Sequence, residues 1–212
     1  MEALSVEAIP EGDDWQYEPK WDGFRCIAFR DGGSVHLQSK SLQFLARYFP
    51  EVMEALAELE AKHFVLDGEI AVPEGRGFSF DALLQRIHPA ASRVKRLAAE
   101  TPAIYIVFDL LAADDGKALL SVPLRERRAR LEQFSAQYFG KSGLIRLSPV
   151  TDKLAQAKKW LSQRALHLTA LSPSGATSTI ELASVTGCRR SKTSAARIAS
   201  SAAFVTARSQ RW

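Results

Sequence analysis

A lysine set between two strand-like segments, followed at once by Asp-Gly and then by an arginine, has the makings of a nucleophile site. The residues are Lys20-Trp21-Asp22-Gly23-Phe24-Arg25. A lysine amine attacks phosphorus only when neutral, a form held by about one molecule in a few thousand at neutral pH. Such a site needs cations close by, from a metal or from phosphate-binding side chains, to favour the neutral amine and to offset phosphate charge. Asp22-Gly23 reads as a tight turn that reverses the chain beside a nucleotide, and Arg25 as a donor fork returning to the same pocket. Alone, Lys-x-Asp-Gly is also an ordinary hairpin sequence. Two companions raise its specificity: Asp67-Gly68-Glu69 within an apolar strand, and Phe108 at the head of Phe-Asp-Leu-Leu. Glu69 offers a carboxylate for a ribose hydroxyl or a metal-bound water. Phe108 offers a ring for stacking adenine, worth about 1–3 kcal/mol by analogy with base stacking on aromatics. Taken singly, Glu69 reads as a turn carboxylate and Phe108 as a core aromatic; their order and spacing make accident improbable.

The elements that must hold these residues are short. Residues 15–30 read as strand, turn, strand, Asp31-Gly32-Gly33 as a turn, and 34–39 as a further strand. Residues 51–62 follow a proline and carry apolar side chains at helical spacing. Residues 63–72 read as a buried strand pair or as one strand with a polar Asp-Gly-Glu interruption, and 104–111 as a buried strand. Helices are expected over 80–86, 91–99, 123–139 and 151–163, with a strand in 143–150 between the last two. Hairpin-like strand order with surface helices predicts an α+β fold of antiparallel sheets flanked by helices.

Composition excludes several classes. An apolar share of 46% with 25% charged residues suits a globular chain with a sizeable core. No apolar run approaches membrane-spanning length, and the N-terminus is acidic where a signal peptide would be basic, so no membrane association and a cytoplasmic location are expected. Cys26 and Cys188 have no metal-ligand spacing, and Cys26 reads as a small core residue. His36, His63 and His88 read as structural, and the charges of 125–130 as a solvated helix face. The formal charge of +4 invites a nucleic-acid reading, but it is unevenly spread. Residues 1–162 carry 21 basic and 23 acidic side chains, whereas 163–212 carry 7 and 1. Nothing about DNA follows from the net charge.

The segments YEPKWDGFRC, LQSKSLQFLARYFPEV, FVLDGEIAV, YIVFDLL and PLRERRARLE together resemble the successive motifs of ATP-dependent DNA ligases, members of the covalent nucleotidyltransferase superfamily, and most nearly the short accessory ligases of bacteria. The resemblance runs from about residue 7 to 160. It implies that Lys20 takes AMP from ATP, that AMP passes to the 5′-phosphate of a nick in double-stranded DNA, and that the 3′-hydroxyl displaces it. It further implies magnesium or manganese as the divalent metal, a role in DNA repair, and a monomer. By position, Glu18 is implied to read the adenine amine, Arg25 the ribose, Glu69 the ribose or a metal, and Phe108 the adenine face. Asp22, Gly23, Asp67 and Gly68 are implied to support them. Lys40 falls where the family has an arginine followed by Asn-Gly. Here Ser41-Leu42 follows, so the charge remains and the bidentate fork is lost.

The resemblance implies an adenylation domain over residues 1–165 that is C-terminally incomplete. Two motifs expected next, an acidic-Gly-apolar strand ending in lysine and a lysine-rich strand, are absent, as is the oligonucleotide-binding domain that family ligases carry. Of the 45 residues from 168 to 212, 24 are Ser, Ala or Thr. Read one frame away, this stretch accommodates the missing motifs in order. Residues 166–212 are therefore expected to be an out-of-frame, poorly ordered tail and the chain to be inactive in nick sealing. The alternatives are a non-catalytic remnant that binds nucleotide or protein, and an RNA ligase or capping-type nucleotidyltransferase.

Overall fold

The computed structural model describes residues 3–5, 9–11, 15–75, 77–140, 142–162, 167–171 and 180–182. They fall into two compact units. Two strands, β1 (Ala3–Ser5) and β2 (Gln16–Lys20), precede the larger unit, which comprises Asp22–Leu120 and Arg128–Leu147.

The larger unit is organised on β3 (Phe24–Asp31), β4 (Ser34–Ser39) and, after a 3-10 turn at Ala46–Tyr48 and helix α1 (Pro50–Glu58), strand β5 (His63–Ala71). A two-residue hairpin pair, β6 (Pro73–Glu74) and β7 (Gly77–Phe78), leads to helices α2 (Phe80–Gln85) and α3 (Ala91–Glu100). Strand β8 (Ile104–Ala112), helix α4 (Leu124–Tyr138) and strand β9 (Ile145–Leu147) complete it. The sheet order is β4-β3-β5-β8-β9. The central strands β5 and β8 are buried along almost their whole length, which is why both are mainly apolar on either side of a short polar break and show no clean alternation. Phe64 of β5 meets Phe134 of α4 edge-on at 5.6 Å.

The sheet is mixed. β3, β4, β5 and β8 pair antiparallel, as the sequence predicts, but β9 runs parallel to β8. The reason is connection length: a parallel partner needs a crossover of a dozen or more residues, and α4 supplies it.

Helix boundaries follow their caps. Pro50 opens α1, and Ser79 caps α2, its hydroxyl accepting from the Ala82 N–H at 3.3 Å. The periodicity carries α1 to residue 62, yet it ends at Glu58. Buried Arg30 of β3 donates through Nη1 to the carbonyls of Leu56 at 2.7 Å and Leu59 at 2.6 Å. Those carbonyls would otherwise be orphaned at the helix end. A second buried arginine, Arg86, pairs with Glu51 of α1 at 2.8 Å and donates to the Tyr48 carbonyl at 2.9 Å. Helix α1, the 3-10 turn and the end of α2 are thereby tied by one guanidinium.

The smaller unit contains Met1–Trp21, Ser121–Arg127 and Ser148–Trp212. Helix α5 (Leu154–Ser162) and strands β10 (His167–Leu171) and β11 (Ile180–Leu182) belong to it, with sheet order β1-β11-β10-β2. β10 pairs antiparallel with β2, setting His167 opposite Lys20 and Thr169 opposite Glu18. Tyr17 is fully buried against Ala157 of α5, its hydroxyl donating to the Pro10 carbonyl at 2.7 Å. The two strands β10 and β11 fall in the segment expected to be a tail; the rest of that expectation lies outside the described residues. No helix among the described residues is long and apolar enough to cross a membrane.

Candidate active site

The Lys-x-Asp-Gly segment straddles the two units, whose boundary falls between Trp21 and Asp22. In the smaller unit Lys20 ends β2. Side chains alternate along a strand, so Glu18 and Lys20 leave β2 on the same face. Glu18 is buried and its Oε1 accepts from Gln16 Nε2 at 3.0 Å. Trp21 donates from Nε1 to Ser148 Oγ at 3.0 Å, so its indole is committed to a polar anchor within that unit.

In the larger unit four of the expected residues come together. Arg25 of β3 forms a bidentate pair with Asp67 of β5, Nε to Oδ1 at 3.1 Å and Nη2 to Oδ2 at 2.7 Å. Its guanidinium carbon lies 5.5 Å from the centre of the Phe108 ring, within cation–π range. Glu69 stands directly across the ladder from Arg25. Asp67, foremost, holds the Arg25 charge more firmly than usual. Burial, opposed by Arg25, pushes the Glu69 carboxyl up to about 8.

A bulge in β8 helps to assemble this face. Val107 pairs with Gly68 and Asp109 with Asp67, which leaves Phe108 as an extra residue. The register puts Asp109 on the Asp67 face, and the Arg25 contact puts Phe108 there too. Two consecutive side chains thus serve one side of the sheet.

The glycines are required by space. A Cβ on Gly23 would lie 2.3 Å from the Ile70 carbonyl oxygen and 2.9 Å from Glu69 Cγ. Gly23 has no positive φ, and β2 and β3 lie in different sheets. The expected reversing turn is therefore a close approach of backbone to β5, through which the Gly23 backbone also hydrogen-bonds to Glu69. A Cβ on Gly68 would meet the Ile106 carbonyl oxygen at 2.5 Å and the Tyr105 ring at 2.7 Å. Tyr105, which the sequence reading did not single out, is fully buried there, its hydroxyl lying 2.9 Å from the carbonyls of both Cys26 and Leu66. The pairing of a strand glycine with a tyrosine one strand away was its only signal.

Asp22 and Lys40 are exposed. Lys40 sits in the loop after β4, where Ser39 Oγ accepts from the Gln43 N–H at 3.0 Å and the Leu42 N–H bonds to the Ser39 carbonyl at 2.9 Å. Leu42 adopts φ 63°, the left-handed region, and is the only non-glycine among the described residues to do so. That conformation strains an L-residue by about 1–2 kcal/mol, and glycine's greater unfolded-state entropy takes back about 0.5–1. Leu42→Gly is accordingly expected to stabilise the fold by about 0.5 kcal/mol in urea unfolding; a loss of stability would show that the loop is unstrained.

Comparison with known proteins follows the same residues. A family model described as ATP dependent DNA ligase domain matches residues 3–166. DNA ligase C of Mycobacterium tuberculosis is 46% identical over 164 residues, which are 77% of this chain and 45% of that protein. DNA ligase C1 of Mycolicibacterium smegmatis is 50% identical over 132 residues, 60% of this chain and 38% of that protein. The chain thus spans less than half the length of these curated relatives. Among solved structures, the ligase domain of LigD from M. tuberculosis aligns with a TM-score of 0.60 at 24% identity, covering 85% of this chain and 54% of that one. Mycobacterial DNA ligase D complexed with ATP and MES aligns with a TM-score of 0.59 at 23% identity, covering 85% and 59%. At such identities the likeness establishes a shared fold.

Proposed function

The chain belongs to the family of ATP-dependent DNA ligase domains, and from that premise we propose that residues 1–165 are an adenylation domain in which Lys20 becomes covalently joined to AMP. The Lys20 amine attacks the α-phosphorus of ATP. A nitrogen–phosphorus bond forms, the bond to the oxygen bridging to the β-phosphate breaks, pyrophosphate leaves with the electron pair, and the amine gives up its proton. AMP then moves to the 5′-phosphate of nicked double-stranded DNA, and the 3′-hydroxyl expels it. Glu18 reads the adenine amine, Phe108 stacks on the adenine, Arg25 and Glu69 address the ribose, and Lys40 supplies a further cation. Asp22, Gly23, Asp67 and Gly68 hold these groups in place.

The observation that carries this reading is the gathering of Arg25, Asp67, Glu69 and Phe108 on one face of the larger unit. Three residues separate Lys20 from Phe24 in the chain, which keeps their Cα atoms within about 14 Å of each other. Among the described residues no group of three or more His, Cys, Asp or Glu side chains offers a ready metal site. Magnesium sites of nucleotide enzymes need only one or two carboxylates plus substrate phosphates, and Glu69 is a carboxylate on the same face as Arg25 and Phe108 that is tied into no ion pair with Arg25, whose fork is taken by Asp67. Glu69 fits as the protein ligand; bound magnesium or manganese would offset phosphate charge during the transfer. A monomer working in the cytoplasm in DNA repair completes the proposal.

The Ser/Ala/Thr-rich composition of 168–212 supports the reading that residues 166–212 derive from a shifted frame. On that reading the chain seals no nicks and labels Lys20 slowly or undetectably. The test compares the 212-residue chain with one whose next frame is restored after residue 165, each incubated with α-labelled ATP and magnesium and then digested. Label on the Lys20 peptide of the restored chain alone is the expected result. Robust labelling of the 212-residue chain rules out the frame damage. ATP binding by the restored chain without label rules out adenylation in favour of a non-catalytic nucleotide-binding role.

A further inference from the structure

The ladder sets Arg25 directly opposite Glu69 and diagonal to Asp67. Directly opposed side chains have Cβ atoms about 4.5–5.5 Å apart, and diagonal ones lie farther away. Proximity alone would therefore pair Arg25 with Glu69. The structure has the reverse arrangement: the guanidinium takes both oxygens of Asp67, at 2.7 and 3.1 Å, while Glu69 acts on Arg25 through space only. Asp67 is 5% exposed and sits between Leu66 and Gly68, both buried, so its carboxylate has little freedom to follow a moving partner.

We propose that Asp67 is a positioning residue for nucleotide binding: it clamps the Arg25 guanidinium against Phe108 and off Glu69, keeping Arg25 and Glu69 as two separate groups for the ribose. This deepens the adenylation reading and rests on it. Without the Asp67 charge, Glu69 and Asp109 are the carboxylates left acting on Arg25, and Glu69 is the one directly across the ladder from it. The two groups that address the ribose would then neutralise each other, and the ring of Phe108 would lose its neighbour. A substitution that leaves shape intact and removes only the charge, Asp67→Asn, isolates that effect. Asn keeps one acceptor oxygen but cannot accept the fork with a carboxylate's strength.

The experiment uses the full 212-residue chain with arginine side chains labelled for NMR, first without nucleotide. In the wild type, a clamped Arg25 gives a sharp Nε–H signal and resolved Nη protons. In Asp67→Asn the Nη protons average while the unfolding midpoint is kept. Rotationally averaged Nη protons in the wild type overturn the clamp even if the variant does not fold, and so does an unchanged Arg25 spectrum in the variant. Titration of the frame-restored chain with ATP supplies the second readout. Asp67→Asn is expected to raise Kd about tenfold, the scale of one charge-assisted hydrogen bond. In an Arg25→Lys background the same change is expected to add less than twofold, because the effect passes through the fork. Costs that multiply, or a Kd unaltered in Asp67→Asn, overturn the positioning role alone. No ATP binding by the otherwise unsubstituted frame-restored chain overturns the adenylation reading and the positioning role with it.

Discussion

Lys20→Ala is expected to abolish covalent AMP labelling, by at least four orders of magnitude in the frame-restored chain, while leaving the affinity for ATP within about threefold. The size follows from the chemistry, because the substitution deletes the atom that forms the bond. Loss of a nucleophile costs of order 10⁴–10⁶ in rate in enzymes that work covalently. Binding is spared because the contacts proposed for the nucleotide come from Glu18, Arg25, Glu69 and Phe108. Lys20→Arg should be as inactive as the alanine variant, since a guanidinium keeps its proton throughout the accessible pH range and has no free pair to donate. The two variants together separate charge from nucleophilicity. Residual labelling in Lys20→Arg would move the nucleophile to another residue.

Gly68→Ala is expected to destabilise the larger unit by about 3 kcal/mol, read as a lowered urea midpoint at unchanged m-value. The added methyl would fall 2.5 Å from the Ile106 carbonyl oxygen and 2.7 Å from the Tyr105 ring. The carbonyl cannot retreat without opening the β5–β8 ladder, and the ring is fully buried. Relief by rotation of a flexible side chain is therefore closed off. Gly33→Ala is the control: nothing lies within 4 Å of its added Cβ and its φ is not positive. It should change stability by less than about 0.5 kcal/mol. A cost below 1 kcal/mol for Gly68→Ala would mean that Tyr105 does not pack against the strand as described.

The two positions illustrate what the sequence allows to be read. Lys20, Arg25, Asp67, Glu69 and Phe108 stand out by type and order, and the structure brings the last four to one face. The long strands were legible because their apolar runs are bounded by turn residues. So was the start of α1, where Pro50 fits the first helical turn. Its end was not, because the residue that stops it, Arg30, lies on another strand and acts through a buried guanidinium. Strand β9 was expected within 143–150, but its parallel direction was not, for a related cause: direction is fixed by the crossover through α4 and not by the residues of the strand. The pairing of β10 with β2 had no compositional signal at all, since Thr, Ala and Leu at those positions are read by partner and register. Leu42 shows a different limit. A left-handed position is announced by glycine or asparagine, and here neither is present.

The extra residue at Phe108 has a consequence for how this strand can change over time. A second extra residue, Leu111, follows within the same ladder, so that Ile106, Asp109 and Ala112 oppose Glu69, Asp67 and Val65 at intervals of three. Deleting Phe108 would give a more regular ribbon of hydrogen bonds and leave Asp109 and Leu110 opposite their present partners, on their present faces, while removing the ring beside Arg25. A drift toward smoother pairing is thus open to the scaffold at that codon, and its only casualty is the ring itself: the tidier strand is the one that has lost its aromatic.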